Sequence, residues 1–211
     1  MRCGPGRWII LIGGPPAAGK TTIAKRLSKH LDLPWISSDQ VGTIMRSVAT
    51  REDHPELFTW DDYGGLDYLL RLTSEQIADN EFVKAEAVWA GVAALIKTDY
   101  VLDEGFIVEG DDILPHLVDR DFPESAEVSA VFLGDHDADR VRRVVTARLG
   151  ATGDLAEKEV EWILTFGERV QAEALVHEMP WTDVEKSDDD LPKVLSALGR
   201  LDSARPGSQG R

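Results

Sequence analysis

The most chemically specific stretch of the chain is Gly14-Pro15-Pro16-Ala17-Ala18-Gly19-Lys20-Thr21, followed by Thr22. It satisfies G-x-x-x-x-G-K-[ST] without a mismatch, and each part has a physical reason. Gly14 and Gly19 permit torsions and close approaches that a side chain blocks, so successive main-chain amides can point inward as an anion nest. A helix that opens at Lys20 adds unsatisfied amides and the positive end of its dipole. Lys20 reaches the β and γ phosphates of a bound nucleotide, and the Thr21 hydroxyl is suited to Mg²⁺. Residues 14–22 are therefore expected to wrap the phosphates of ATP.

Two carboxylates fall where a parallel sheet binds its ligands, beyond the carboxyl ends of strands. Glu109 closes the apolar run "FIVE" and is suited to holding the water shell of Mg²⁺ together with Thr21. Asp39 follows a short strand and precedes a helix. It is either a base that takes a proton from an acceptor hydroxyl or the N-cap of that helix. Asp111 and Asp112 lie in the turn after Glu109, where they can touch a substrate or serve the turn alone. Arg46, seven residues after Asp39, is placed to meet an anionic acceptor.

The segment "DRVRRVVTARLG" carries four arginines. At 100° per residue Val141, Val144, Val145 and Leu149 form an apolar arc into which Arg148 projects, with Arg140 and Arg143 on a flank. Arg148 and Arg143 are the candidates for neutralising charge on a transferring phosphoryl group. Snorkelling, or pairing with neighbouring acids, is the alternative. Trp60 and Trp89 either line an acceptor pocket or pack in the core. The histidines at 30, 54, 116, 136 and 177 show no metal-ligand spacing.

The elements that must position these residues alternate. Strands are expected at residues 7–12, 34–36, 106–110, 127–135 and in "WTDVE". Helices are expected after the glycine loop, over 40–49, beyond the capping box Thr73-x-x-Gln76, over 137–149 and 155–177, and in "DDLPKVLSALGRL". Residues 51–65, acidic and rich in turn formers, read as a mobile loop. Such alternation implies a parallel sheet covered on both faces.

The 211 residues, 43% of them hydrophobic, suffice for one domain over 1–202 with a disordered tail at 203–211. A formal charge of -15 disfavours a nucleic-acid footprint. No run approaches the roughly 18 apolar residues of a membrane span. Cys3 is the single cysteine, which excludes an intrachain disulfide and fits a cytoplasmic protein. Oligomeric state is not legible.

Taken in order, "GGPPAAGKTT", "SSDQVGTIMR", "IVEGDDILP", "ARLGATGD" and "DVEKSDDDLPKVLSAL" resemble the P-loop small-molecule kinases of the nucleoside-kinase-like superfamily, with the "VEG" and "ILP" element nearest 2-phosphoglycerate kinase-like proteins. The resemblance implies a three-layer fold on a five-stranded sheet of order 2-3-1-4-5. It also implies a helical acceptor-binding segment over 40–104 and a lid over 140–155. By position it makes Lys20 and Thr21 the phosphate and Mg²⁺ residues, Asp39 the base, Arg46 an acceptor contact, and Arg143 and Arg148 lid arginines. The expected activity is transfer of a phosphoryl group from ATP to a small acceptor. A GTPase-like switch, or a nucleotide-binding interaction module, is the alternative.

Overall fold

In a computed structural model that describes residues 7–98, 104–123, 125–150 and 152–199, five strands form one parallel sheet. They are β1 (Trp8–Gly13), β2 (Trp35–Ser37), β3 (Gly105–Glu109), β4 (Val128–Gly134) and β5 (Trp181–Asp183), in the order β2-β3-β1-β4-β5. This is the expected order. Cys3 and the tail lie outside the described residues.

Alternation along β1 shows why the sheet needs cover on both sides. Ile9 and Leu11 join Phe106, Val108 and Phe132 in one core, whereas Ile10 and Ile12 join Ile107, Val131 and Leu133 in another. Helices α1 (Lys20–Leu31) and α9 (Asp190–Ala197) close the second core through Ile23, Ala24, Leu27, Val194 and Leu195. The first core is closed by α5 (Ser74–Ile96), α7 (Ala138–Leu149) and α8 (Asp154–Val176), which contribute Val88, Trp89, Val141, Val145, Trp162 and Phe166. The remaining helices are α2 (Ser38–Val48), α3 (Thr59–Asp62), α4 (Asp67–Arg71) and α6 (Pro115–Asp121). Among the described residues no helix is long and apolar enough to cross a membrane.

Three local expectations change. Residues 51–65 contain a 3₁₀ turn, Pro55–Phe58, that runs into α3 and buries Leu57 against the core, so much of the acidic stretch is helical turn. Helix α6 was not anticipated; Pro115 occupies its first turn, where a missing amide costs nothing. Helix α2 begins at Ser38, because Ser37 caps it: the Ser37 hydroxyl accepts from the Asp39 amide, and Gln40 reaches back to the Ser37 amide. Asp39 is therefore not the cap.

Register fixes the site. Ser37 is level with Glu109, and Glu109 with Ile12, so the chain leaves β2, β3 and β1 at one edge of the sheet. The two loop glycines there serve different needs. A Cβ on Gly14 would lie 2.1 Å from the Leu133 carbonyl oxygen of β4, whereas Gly19 has open space but a φ of 83°. Gly14→Ala is therefore expected to destabilise the fold by about 3 kcal/mol, and Gly19→Ala by only about 1 kcal/mol. Thermal denaturation of the two variants checks the order; equal losses would contradict the separation of roles.

Candidate functional site

The loop between β1 and α1 is closed by the Lys20 ammonium on the Pro15 carbonyl, while its helix end has no side-chain cap. Ala17 adopts a left-handed conformation at φ 62° and Gly19 caps α1 without a side-chain hydrogen bond. Pro15 and Pro16 carry no amide hydrogen and the Ala18 amide donates to the Pro15 carbonyl at 3.4 Å, so the amides left for an anion are those of Ala17, Gly19 and the first turn of α1. By contrast α2, α5 and α7 are capped by Ser37, Thr73 and Asp137 side chains. The first turn of α1 contains no acid either, which leaves its amides and dipole for an anion.

Lys20, only 6% exposed, donates to the Pro15 carbonyl at 2.6 Å and pairs with Asp111. The Thr21 hydroxyl donates to Glu109 Oε1 at 3.1 Å. Pro16, Ala17, Gly19, Lys20, Thr21 and Thr22 line a cleft of about 370 Å³ that is lined also by Asp39, Glu109, Gly110, Asp111, Val144 and Arg148. Gly14, Pro15 and Ala18 lie behind that surface: Gly14 against Leu133, Pro15 beside Gly167, Ala18 in the core with α1. None of the three lines the cleft.

Electrostatics distinguishes the acids. Burial pushes the Glu109 carboxyl up from its ordinary range; Lys20 and the Thr21 hydroxyl pull it back, and Asp111 and Asp39 push it further. Asp39, at the open mouth of the cleft, is also shifted upward, by burial of its carboxyl and then by Asp111 and Asp112, with Lys84 and Lys20 opposing. Asp112 is 2% exposed, and its Oδ2 accepts from the buried Ser38 hydroxyl at 2.7 Å.

Two residues that sequence reasoning passed over belong here. Lys84 of α5 sits 3.5 Å from Asp112 Oδ1 and pairs with Glu81 one turn earlier. Burial draws the Lys84 ammonium down, but Asp112, Glu81 and Asp111 outweigh it and hold it well above its usual value. In the sequence the two read as an ordinary Glu-x-x-Lys surface pair.

A second pocket, of about 50 Å³, is lined by Asp39 together with Gly42, Arg46, Leu57, Lys84, Val88 and Asp112. Asp39 thus belongs to both cavities. A third, of about 410 Å³, lies between α7 and the loop after β5, lined by Arg140, Arg143, Val144, Ala147, Arg148, Glu185 and Lys186. It shares Val144 and Arg148 with the loop cleft.

The arginine helix differs from expectation in one respect. Val141 and Val145 are buried and Val144 half-buried, but Arg148 is exposed and stands on the rim of the cleft, because α7 meets its neighbours mainly through the valine face. Arg140 is held by Asp135 and Asp137, and Arg142 by Asp139 and Glu157. Arg143 lines the third cavity and does not line the loop cleft. Trp89 is core, 1% exposed, with its indole N–H on Asp121 at 2.6 Å. Trp60 is 42% exposed against Tyr68 and lines none of the three cavities.

A parallel sheet of this order with a lysine-bearing phosphate loop between its central strand and first helix defines the class of P-loop nucleotide-binding folds. Residues 13–161 match the family described as AAA domain, and the chain belongs to that family. A cytidylate kinase from Sulfurisphaera tokodaii is 52% identical over 44 residues, which are 21% of this chain and 23% of that protein. The match thus spans under a quarter of that relative's length. Among solved structures, TT1252 from Thermus thermophilus superposes with a TM-score of 0.54 at 19% identity over 94% of this chain and 100% of that one. A shikimate kinase from Bacteroides thetaiotaomicron gives 0.51 at 17% identity, covering 92% and 96%. A gluconokinase from Sinorhizobium meliloti 1021 gives 0.50 at 19%, covering 95% of each. At these identities the likeness is one of fold.

The upward shift of Asp39 makes its ionised form a liability to the fold. A raised folded-state pKa means that the native state binds more protons than the unfolded chain. The associated stability is complete below the ordinary value of 3.8 and is lost as pH rises through the folded value. Asp39→Asn is accordingly expected to melt higher than the parent at pH 7.5, with the difference vanishing in acid below the ordinary aspartate range. Melting curves across that span check it, and a lower melting point for the variant at pH 7.5 would contradict the assignment.

Proposed function

We propose that the protein transfers the γ-phosphoryl group of ATP, in the presence of Mg²⁺, to a hydroxyl or phosphate of a small metabolite. The observation that carries this reading is the position of Asp39, a carboxylate forming a common wall between the phosphate-loop cleft and a separate small pocket. An acceptor in the pocket and a triphosphate in the cleft would meet at its side chain. The kinase fold and the kinases among the structural relatives support the same class of chemistry.

The donor set suits Mg²⁺. Thr21 and Glu109 present hard oxygens to one another, and among the described residues no group of three His, Cys, Asp or Glu forms an all-protein cage. Mg²⁺ characteristically takes one or two protein oxygens and completes its shell with water and phosphate. When bound it would neutralise charge on the phosphates.

The chain's own residues do the rest. The amides of Ala17, Gly19 and the first turn of α1 bind and orient the phosphates. Lys20 exchanges its contacts with Pro15 and Asp111 for phosphate oxygens. Asp39 accepts the proton of an acceptor hydroxyl, a task favoured by the upward shift that makes it more basic. Arg148, on the cleft rim, offsets charge developing on the transferred group. We assign residues 40–104 to acceptor binding and 140–155 to a lid that excludes water. We assign the adenine of ATP to the cavity between α7 and Lys186, which joins the cleft at Val144 and Arg148.

Acceptor-dependent ADP formation tests these roles. Lys20→Ala is expected to abolish transfer. Asp39→Asn should lower kcat by about 10²–10⁴-fold while ATP affinity changes little, and Arg148→Ala should lower it by about 10²-fold or more. Unchanged turnover in Lys20→Ala would remove that ammonium from the mechanism, and full activity in Asp39→Asn would leave that carboxylate without a catalytic role.

A further inference from the structure

Lys84 enters the site from α5 without lining the phosphate-loop cleft. Its ammonium pairs with Glu81 one turn earlier and with Asp112 Oδ1 at 3.5 Å. Asp112 is 2% exposed and passes the contact on, because its Oδ2 accepts from the Ser38 hydroxyl at 2.7 Å. Ser38 is fully buried and is the first residue of α2, directly before Asp39. The fit is close: a Cβ on Gly110 would lie 1.9 Å from the Ser38 hydroxyl oxygen. Lys84, Asp112 and Ser38 thus form a chain of polar contacts that ties α5 and the turn after β3 to the start of α2.

The same chain has an electrostatic side. Asp39 is faced by Lys20 from α1, by Glu109, Asp111 and Asp112 from the end of β3 and the turn after it, and by Lys84 from α5, with Arg46 on its own helix. Asp39, Lys84 and Asp112 line one pocket of about 50 Å³. Lys84 opposes the upward shift of Asp39 more than Lys20 does. A nucleotide would treat the two ammonium groups differently: Lys20 belongs to the phosphates, whereas Lys84 lies outside the cleft and keeps its carboxylates. Lys84 itself is faced by Asp112, Glu81 and Asp111. Beyond Glu81 stand Glu159 of α8 and Tyr68 of α4, whose phenol is pushed up to about 12 by burial and then by Glu81 and so stays neutral. A cation among that many acids keeps its charge.

Resting on the kinase reading above, we propose that Lys84 is a positioning residue for the base: through Asp112 and Ser38 it holds the first turn of α2 against the end of β3, and its ammonium remains the counter-charge of the Asp39 carboxylate when Lys20 turns to the phosphates. The base then meets an acceptor hydroxyl from a fixed place and in its ionised form. Without Lys84, Asp112 stays buried beside Ser38 with no cation. Asp39 is then left among Glu109, Asp111 and Asp112, and its carboxylate is harder to ionise.

The test is a carbon NMR titration of the aspartate side-chain carboxyls in the full chain, with the Asp39 signal identified by its absence from Asp39→Asn. In Lys84→Met, which keeps an unbranched side chain and removes the charge, the Asp39 midpoint is expected to move to higher pH, and in Lys84→Arg to return to that of the parent. The displacement should persist with a non-hydrolysable ATP analogue and Mg²⁺ bound, and the analogue should bind Lys84→Met as it binds the parent. Asp112→Asn, which keeps an acceptor for Ser38, is expected to lower the midpoint, and Lys84→Met combined with Asp112→Asn to raise it again. That second pair carries the test should Lys84→Met alone fail to fold for want of a partner to the buried Asp112. An Asp39 midpoint indifferent to Lys84 in both backgrounds, a displacement that vanishes once the analogue is bound, or a marked loss of analogue affinity in Lys84→Met would overturn the proposal. The kinase reading is judged separately, by the loss of kcat in Asp39→Asn; full activity there would overturn both.

Discussion

One buried ammonium organises the site. Lys20 is nearly closed off from water, yet it faces Asp111 directly and feels Glu109 and Asp39 at the same sheet edge. The strand register brings these acids together, because β1, β2 and β3 all end level with Glu109. A cluster so assembled is short of positive charge. Burial is the first cause of the upward shifts of Glu109 and Asp39, and neighbouring acids add to it even with Lys84 entering from α5 to share Asp112. Groups held this way are costly to the fold and available to a ligand, the arrangement expected where stability has been exchanged for binding.

Around this centre the molecule separates supports from open groups. Asp135 is buried at the end of β4 and receives Arg140 and Lys186, whose hydrogen bonds outweigh its burial and hold its carboxyl below the usual range. That clamp ties the start of α7 to the loop after β5. Arg26 adds to it by donating to the Ser187 and Asp188 carbonyls. Farther away His116 bridges Glu86 and Glu173, which joins α5, α6 and α8. With these ions paired, Arg46, Arg143 and Arg148 stand apart as exposed cations at the margins of cavities.

How much of this was legible in the sequence depends on whether the chemistry is local. The phosphate loop is contiguous, and its constraints fall on consecutive residues. Glu109 was readable because an apolar strand announces its own end. Asp39 was ambiguous between base and cap, and the ambiguity was avoidable: Ser37-x-x-Gln40 is the same reciprocal cap as Thr73-x-x-Gln76, so a capping residue was already present. Helical periodicity misjudged Arg148, since angle on a wheel does not say how far along α7 the neighbours extend. Helix α6 is seven residues long with a proline in its first turn, too short for periodicity to register. Lys84 and Glu81 were invisible because their importance comes from Asp112, about thirty residues away in sequence and in contact only after β3 takes its place beside β1 and β2.

The account rests on a triphosphate entering a cleft whose own carboxylates repel it unless a divalent cation accompanies it. Calorimetric titration of ATP into the full chain, with and without magnesium, measures that dependence directly. The account predicts saturable binding with magnesium and a loss of affinity of about tenfold or more when the metal is chelated. Affinity indifferent to magnesium, or no heat in either condition, would contradict it.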